Sequence, residues 1–278
     1  MKRGQSNMAD LNKTLDLKRQ AGFGTVAIIC LLILYAPIIV LMLFSFNSGT
    51  QITKFEGLGL SWYAAAFQNK EFYAATKNTL VISFTATIFS TIAAVLAAIG
   101  TTRVKPWPGM SWAFMIINLP LMVPEIITAV ATLSFFALIA GAFGINFGIG
   151  NIILAHTVFC IPFAYMPIKA RLEDMDLTLE NAAADLYATP WQAFRRITLP
   201  LLMPGIASGT ALAFIVSFDD FTITQLVAGP GQTTLPLFIW NQIRRPMTPE
   251  INAISTILLM VSILFISVSF IISKSRKS

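Results

Sequence analysis

The chain has 278 residues, of which 56% are hydrophobic and only 12% charged, with a mean hydropathy of +0.73. A water-soluble fold of that composition would expose far too much apolar area, so the values exclude an ordinary soluble enzyme and describe a polytopic membrane protein. The net charge of +6 does not point to nucleic acid, because the basic residues sit beside apolar stretches rather than in one stripe.

Residues 1–20 are polar and lack a clear period, which predicts a cytoplasmic tail ahead of a single transmembrane domain over residues 21–278. Crossing roughly 30 Å of hydrocarbon takes about 20 helical residues. Six stretches meet that length: about 25–46, 79–100, 110–140, 150–168, 201–228 and 251–273. The chain is therefore expected to be an all-α membrane protein with six transmembrane helices. The first run is too long for a secretory signal and is expected to stay as an anchor.

Between the first two spans, SWYAAAFQNKEFYAAT (61–76) repeats apolar positions at helical spacing. It predicts a helix along the outer interface over Leu60 to Lys77, with Ser61 as a cap and Trp62, Tyr63 and Tyr73 as anchors. The third and fourth spans are separated by the glycine-rich turn GAFGINFGIG (141–150). Basic residues fix the expected orientation, since Lys and Arg flanking spans are retained on the cytoplasmic side. With the N-terminus inside, 14 of the 19 Lys and Arg fall on inner segments, so both termini are expected in the cytoplasm.

Cys30 and Cys160 fall within predicted spans without metal-ligand spacing and read as buried thiols. His156, the only histidine, reads as a hydrogen-bonded packing residue, because a metal site needs several convergent ligands. No cofactor or metal is expected.

Residues 169–200 form a charged island that leaves the membrane on the inner side. Two short helices are legible in it. Thr178 is placed to cap the first, with Glu180 in its opening turn and an apolar surface of Leu179, Ala182, Ala183 and Leu186. Thr189, Pro190 and Gln192 spell a capping box with proline at the first helical position for the second. A surface of small alanines flanked by charge suits a groove on a partner protein; the alternative is an amphipathic connector lying on the headgroups.

Intramembrane acids are the informative residues for a solute. A carboxylate at bilayer centre costs about 2.5–3.5 kcal/mol on insertion scales, so such groups face a bundle interior or a wet cavity. Glu125 follows Pro120 and Pro124, where it either lines a path or satisfies freed backbone groups. Asp219 and Asp220 are adjacent, with Ser217 just before them. Helix residues point about 100° apart, so the two aspartates cannot aim at one spot. One is expected to face a translocation path and the other a neighbouring helix or subunit interface, unless both serve a structural network near a helix break. The exit segment from Gly229 to Glu250, with Arg244 and Arg245, is read as a landing surface for an extracytoplasmic protein or as a charged rim.

The island ENAAADLYATPWQAFRRITLP (180–200) resembles the EAA loop of the inner-membrane permease subunits of binding-protein-dependent ABC importers. That pattern runs Glu-Ala-Ala, three residues, Gly, nine residues, Ile-x-Leu-Pro. The matching positions are Asn181, Ala182, Ala183, then Tyr187, then Ile197, Leu199 and Pro200. Asn181 stands where the family has Glu and Tyr187 where it has Gly. A glycine there commonly supplies a left-handed cap, so Tyr187 implies either a different turn or a less stable loop. YAPIIVLMLFSFNS (35–48), NLPLMVPEIITAV (118–130), LAHTVFCIPF (154–163), SFDDFTITQLVAGPGQTTLP (217–236) and TPEINAISTILL (248–259) narrow the resemblance to the putrescine/spermidine-type permeases.

The resemblance implies a type I ABC importer permease architecture in the bacterial inner membrane. It also implies a second permease subunit, two copies of a separate ATPase subunit and an extracytoplasmic solute-binding protein. Glu180, Asn181, Ala182, Ala183, Asp185, Tyr187, Ile197, Leu199 and Pro200 would couple to the ATPase, and Glu125, Ser217, Asp219 and Asp220 would line the path for a polyamine. The chain holds no Gly-x4-Gly-Lys-Ser/Thr loop to cradle nucleotide phosphates, so energy is expected from that separate subunit. An importer for another solute (an amino-acid derivative, a sugar or ferric iron) stays open. An ion-coupled carrier is disfavoured because no internal repeat or second Pro-flanked acid is found.

Overall fold

The computed structural model describes residues 23–145, 147–244 and 248–275, with side chains to residue 267. The expected N-terminal tail and Arg245 lie outside the described residues. Twelve α-helices follow one another among those residues, with no strand. They are α1 (Phe23–Ser45), α2 (Ser61–Gln68), α3 (Lys70–Thr102), α4 (Met110–Met122), α5 (Glu125–Phe143) and α6 (Ile149–Glu173). Then come α7 (Thr178–Asp185), α8 (Pro190–Ala193), α9 (Leu199–Phe218), α10 (Thr222–Val227), α11 (Leu235–Ile243) and α12 (Glu250–Ser275). Six helical runs are long and apolar enough to cross a membrane, and the shorter α4 is also apolar.

Several boundaries differ from the hydropathy reading, each for a local reason. The second span starts at Lys70 rather than near Thr79, because the Asn69 side chain accepts hydrogen bonds from the Glu71 and Phe72 N–H groups and starts the helix there. The outer helix is accordingly only α2. Ser61 does not cap it; the preceding position is Leu60, without a side-chain bond. Trp62 and Tyr63 are tied into the fold, Trp62 Nε1 donating to the Gly49 carbonyl at 2.9 Å and Tyr63 OH lying 2.7 Å from Ser45 Oγ.

The third span is not continuous. Pro124 takes an extended backbone (φ −53°, ψ 132°) and Val123 does likewise (φ −97°, ψ 135°), so α4 ends and α5 begins anew at Glu125. The fourth runs on to Glu173, five residues past its expected end, despite Pro162 and Pro167. The fifth stops at Phe218, and Asp219 and Asp220 occupy the break before α10.

The core lies between α3, α6 and α9. Ala94 and Ala98 of α3, Ala164 and Ile168 of α6, and Leu202 and Ala213 of α9 are fully buried together. Small residues set the spacing: a Cβ added at Gly209 would lie 2.5 Å from the Ala164 carbonyl oxygen, and one at Gly205 2.6 Å from Arg171 Cβ. Lipid tails are as apolar as leucine, so helix association here comes from such close packing rather than from expulsion of water. Polar groups inside the bundle are met locally, as where Tyr165 OH pairs with Thr101 Oγ1 at 2.9 Å and Thr91 Oγ1 donates to Thr210 Oγ1 at 3.3 Å. By contrast α1 packs chiefly on α12 and leaves most of its apolar surface uncovered.

Candidate functional site

Two sites emerge at opposite ends of the fifth span. The first forms where α5, α6, α9 and α10 meet. The break at Asp219–Asp220 frees the first N–H groups of α10, and the Asp220 carboxylate accepts them: Ile223 N–H at 3.2 Å and Thr224 N–H at 2.9 Å. Thr224 Oγ1 also donates to Asp220 Oδ2 at 2.9 Å. His156, from the middle of α6, places Nε2 3.1 Å from Asp220 Oδ2 and 3.1 Å from Thr224 Oγ1. Its Nδ1 lies 2.8 Å from Ser217 Oγ.

Both ring nitrogens of His156 are thus within hydrogen-bond reach of a polar partner, Nε2 of Asp220 and Thr224 and Nδ1 of Ser217, so every polar atom of the set has a partner. The side chains of His156 and Asp220 are each 1% exposed. His156 is hydrogen-bonded within the bundle, as its isolation in the sequence suggested, and Asp220 lies in a buried hydrogen-bond network beside a helix break.

Glu125, half-buried at the first residue of α5, faces Asp220 and Thr222. Asp219 is exposed, and its carboxylate makes no hydrogen bond or ion pair with the described residues. The structure therefore gathers Glu125, Ser217 and Asp220 and separates Asp219 from them. Thr222 and Thr224 were missed by sequence reasoning. The available signal was Asp220 itself, since an aspartate just ahead of a short helical run can accept hydrogen bonds from the helix's free first N–H groups.

The second site is the island. The Thr189 capping box forms as expected, with Thr189 Oγ1 accepting from Gln192 N–H and Gln192 Oε1 from Thr189 N–H. Thr178 does not cap α7. Asp176 does the local work instead, accepting the Thr178 N–H at 2.9 Å, and that bond, followed by the Thr178 hydroxyl, holds its carboxyl below the usual range.

Glu180 points inward rather than outward. Its Oε1 accepts from Thr198 Oγ1 at 2.9 Å and from Arg103 Nε at 3.3 Å, tying the island to the end of α3. Asn181, Ala182 and Asp185 are exposed, but Ala183 is buried, so the expected alanine face is split between surface and interior. Ile197 and Leu199 are half-buried and Pro200 is exposed.

Tyr187 is the one non-glycine residue at positive φ among the described residues, at 59°. The turn expected of a glycine is kept, not replaced: Ala188 N–H reaches back to the Ala183 carbonyl at 3.0 Å and closes α7. Holding a tyrosine there costs about 1–2 kcal/mol. Its side chain is 95% exposed, beside Leu186 at 81% and Trp191 at 67%. Next to this knob, Leu199 N–H bonds the Phe194 carbonyl across a widened π-turn over Phe194–Thr198. Pro200 follows immediately, and its missing N–H and ring disfavour a regular α-turn there.

Broken apolar spans around an inward polar network, with an amphipathic island projecting from one end, define a multi-pass membrane permease. Residues 90–275 match the family described as binding-protein-dependent transport system inner membrane component. The chain belongs to that family.

It is similar to the putrescine transport system permease protein PotI of Escherichia coli (strain K12), 37% identical over 228 residues, 81% of each chain. It is also similar to the spermidine/putrescine transport system permease protein PotC of the same strain, 32% identical over 87% of this chain and 90% of that protein. Among solved structures, a bacterial ABC transporter that imports the acidic polysaccharide alginate matches with a TM-score of 0.73 at 21% identity, covering 90% of this chain and 92% of that one. The MetNI methionine ABC transporter matches at 0.61 and 19%, covering 73% and 94%. The architecture is that of an ABC importer permease.

Proposed function

We propose that the chain is a transmembrane permease subunit of an ATP-driven importer of putrescine or spermidine, sharing its translocation path with a second permease subunit. The observation that carries this is the similarity at 32–37% identity, over four-fifths or more of the chain, to two permeases named for those solutes. The fold alone does not choose the solute, since the same architecture serves an alginate importer and a methionine transporter. Carboxylates at the helix breaks favour a cation over a neutral sugar or an anion.

Asp219 and Glu125 are the groups best placed to meet an ammonium, Asp219 because it is exposed and Glu125 because it is half-buried beside Asp220. Ser217 and Asp220 act behind them by holding the break. Weak, repeated carboxylate contacts suit a path, because a cation must leave as readily as it enters.

In this reading a separate ATPase, two copies per assembly, docks on residues 178–200 and needs no nucleotide site in this chain. An extracytoplasmic solute-binding protein delivers the polyamine. Both termini lie in the cytoplasm. ATP-driven closure of the ATPases would move the island and bias a bistable arrangement of spans between inward-open and outward-open.

The test is uptake of labelled putrescine and spermidine by the complete assembly in cells lacking other polyamine uptake. ATP-dependent accumulation of either is expected. Accumulation of a neutral or anionic solute instead would reassign the substrate.

A further inference from the structure

A cavity of about 410 Å³ opens between the end of α3, the start of α4 and the last turns of α6, lined by Thr101, Pro106, Trp107, Ser111, Phe114 and Lys169. It is remote from the acids at the helix breaks and shares no residue with residues 178–200. Its chemistry is opposite to that of the proposed path: the charged side chain lining it is a cation.

Lys169 Nζ sits 4.5 Å from the Phe114 ring centroid and 6.0 Å from that of Tyr165, a partly shielded position in which aromatic faces hold the ammonium. The carboxylate within ion-pair reach is Glu173 at 3.5 Å, itself 58% exposed, and a pair of that kind binds its lysine only weakly. The hydroxyls of Thr101 and Ser111 lie on the same lining, although Thr101 also pairs with Tyr165. Arg103 is committed to Glu180 and to the Leu172 carbonyl, whereas Lys105, next to Pro106, is exposed. The start of α4 borders the cavity without a side-chain cap, which adds partial positive charge to that edge.

Location selects the ligand. Trp107, half-exposed at the rim, is the residue type that settles at headgroup level. Beyond the cavity α4 presents Trp112 and Ile116, each 66% exposed, along which an acyl chain can lie. A basic, hydroxyl-bearing pocket between membrane helices with an apolar flank fits a phosphate carrying hydrocarbon tails.

We propose that this cavity binds the phosphate of an anionic phospholipid, with Lys169 as the principal contact, Ser111 as a hydroxyl donor and Trp107 and Phe114 against the glycerol and upper acyl carbons. In the orientation proposed above, on which this assignment to the inner leaflet rests, the lipid would clamp α4 to α6 directly above the coupling island.

The purified assembly, stripped of loose lipid and titrated with phosphatidylglycerol or phosphatidylcholine, is read by native mass spectrometry. Selective retention of phosphatidylglycerol is expected. Lys169→Ala should weaken it about five-fold, the effect of one lysine near a charged membrane surface, and Lys169→Arg should restore it. Equal retention of the two lipids, or retention unchanged in Lys169→Ala with the assembly intact, overturns the proposal. Soluble glycerol phosphate serves as a second probe. Displacement of phosphatidylglycerol only far above equimolar glycerol phosphate supports the lipid site, and competition at equal concentration would make it a site for soluble phosphates. Cys160 is buried as expected but Cys30 is exposed, so orientation is checked apart from lipid by labelling Ser111→Cys, in a Cys30→Ser background, from either side of sealed vesicles. Labelling from the outer side alone would overturn the inner-leaflet placement whatever the lipid result.

Discussion

The His156–Asp220 network and the tip of the 178–200 island are opposite solutions to the same problem of placing awkward groups in a membrane protein. In the network, polar atoms are buried and each finds a partner within the chain. At the tip, Leu186, Tyr187 and Trp191 are apolar and exposed, on a backbone strained at Tyr187. An internally satisfied site needs nothing further, whereas an exposed apolar cluster on a strained turn is the kind of surface that marks contact with a protein or a membrane. The contrast separates polar residues met within the chain from apolar residues left exposed, which the proposed function assigns to contact with the ATPase.

The largest effect should come from breaking the network. Asp220→Ala removes the acceptor for two backbone N–H groups and leaves His156 and Thr224 buried without it, at a cost of about 1–3 kcal/mol for each donor left unsatisfied. The expected outcome is a sharp drop in Tm and in recovery of assembled complex. Full recovery with normal uptake would show that the network is not structural.

Next come the two alanines, which the burial pattern splits. Ala183→Asp puts a charge into the interior and should lower the yield of folded protein. Ala182→Asp lies on the surface and should leave the protein folded while uncoupling ATP hydrolysis from uptake. Equal yields for both, or coupled transport in Ala182→Asp, would erase the distinction drawn between the faces of α7.

The path acids should respond more mildly. Asp219→Asn and Glu125→Gln are expected to lower polyamine uptake several-fold with little change in Tm, unlike Asp220→Ala. Unchanged uptake in both variants would remove them from the path.

The smallest effect is at the turn. Tyr187→Gly should relieve strain and raise the stability of the isolated permease by about 1 kcal/mol, while removing part of the exposed knob and weakening association with the ATPase. A fall in stability would show that the side chain makes a favourable contact within the chain.

Much of the site was legible from single residues because the membrane penalises exceptions so heavily. Glu125 beside Pro124, the Asp219–Asp220 pair and the Thr189–Pro190–Gln192 box each announce a break or a cap through local chemistry. The partners of those groups were not legible: Thr224 is an ordinary strand-or-helix residue in sequence, and Glu180 reads as a helix-opening charge although it bonds Arg103 and Thr198. Those contacts join elements far apart in the chain, and no local pattern encodes which distant group arrives.

Hydropathy and proline placement by themselves determined that six apolar helical runs cross a bilayer, that the third is weakened near Pro124, and that a capped amphipathic island follows the fourth. These follow from the cost of unpaired backbone groups in lipid, which acts residue by residue. Only the tertiary structure decided that Asp220 is locked to His156 while Asp219 is left exposed, that Ala183 is interior and Ala182 surface, and that Tyr187 keeps the left-handed turn. The first two depend on how closely distant segments approach one another, and packing distances of a few ångströms between such segments are not written in any one of them; the third is closed locally by the Ala188–Ala183 bond, but a tyrosine in place of glycine leaves the turn type open in the sequence.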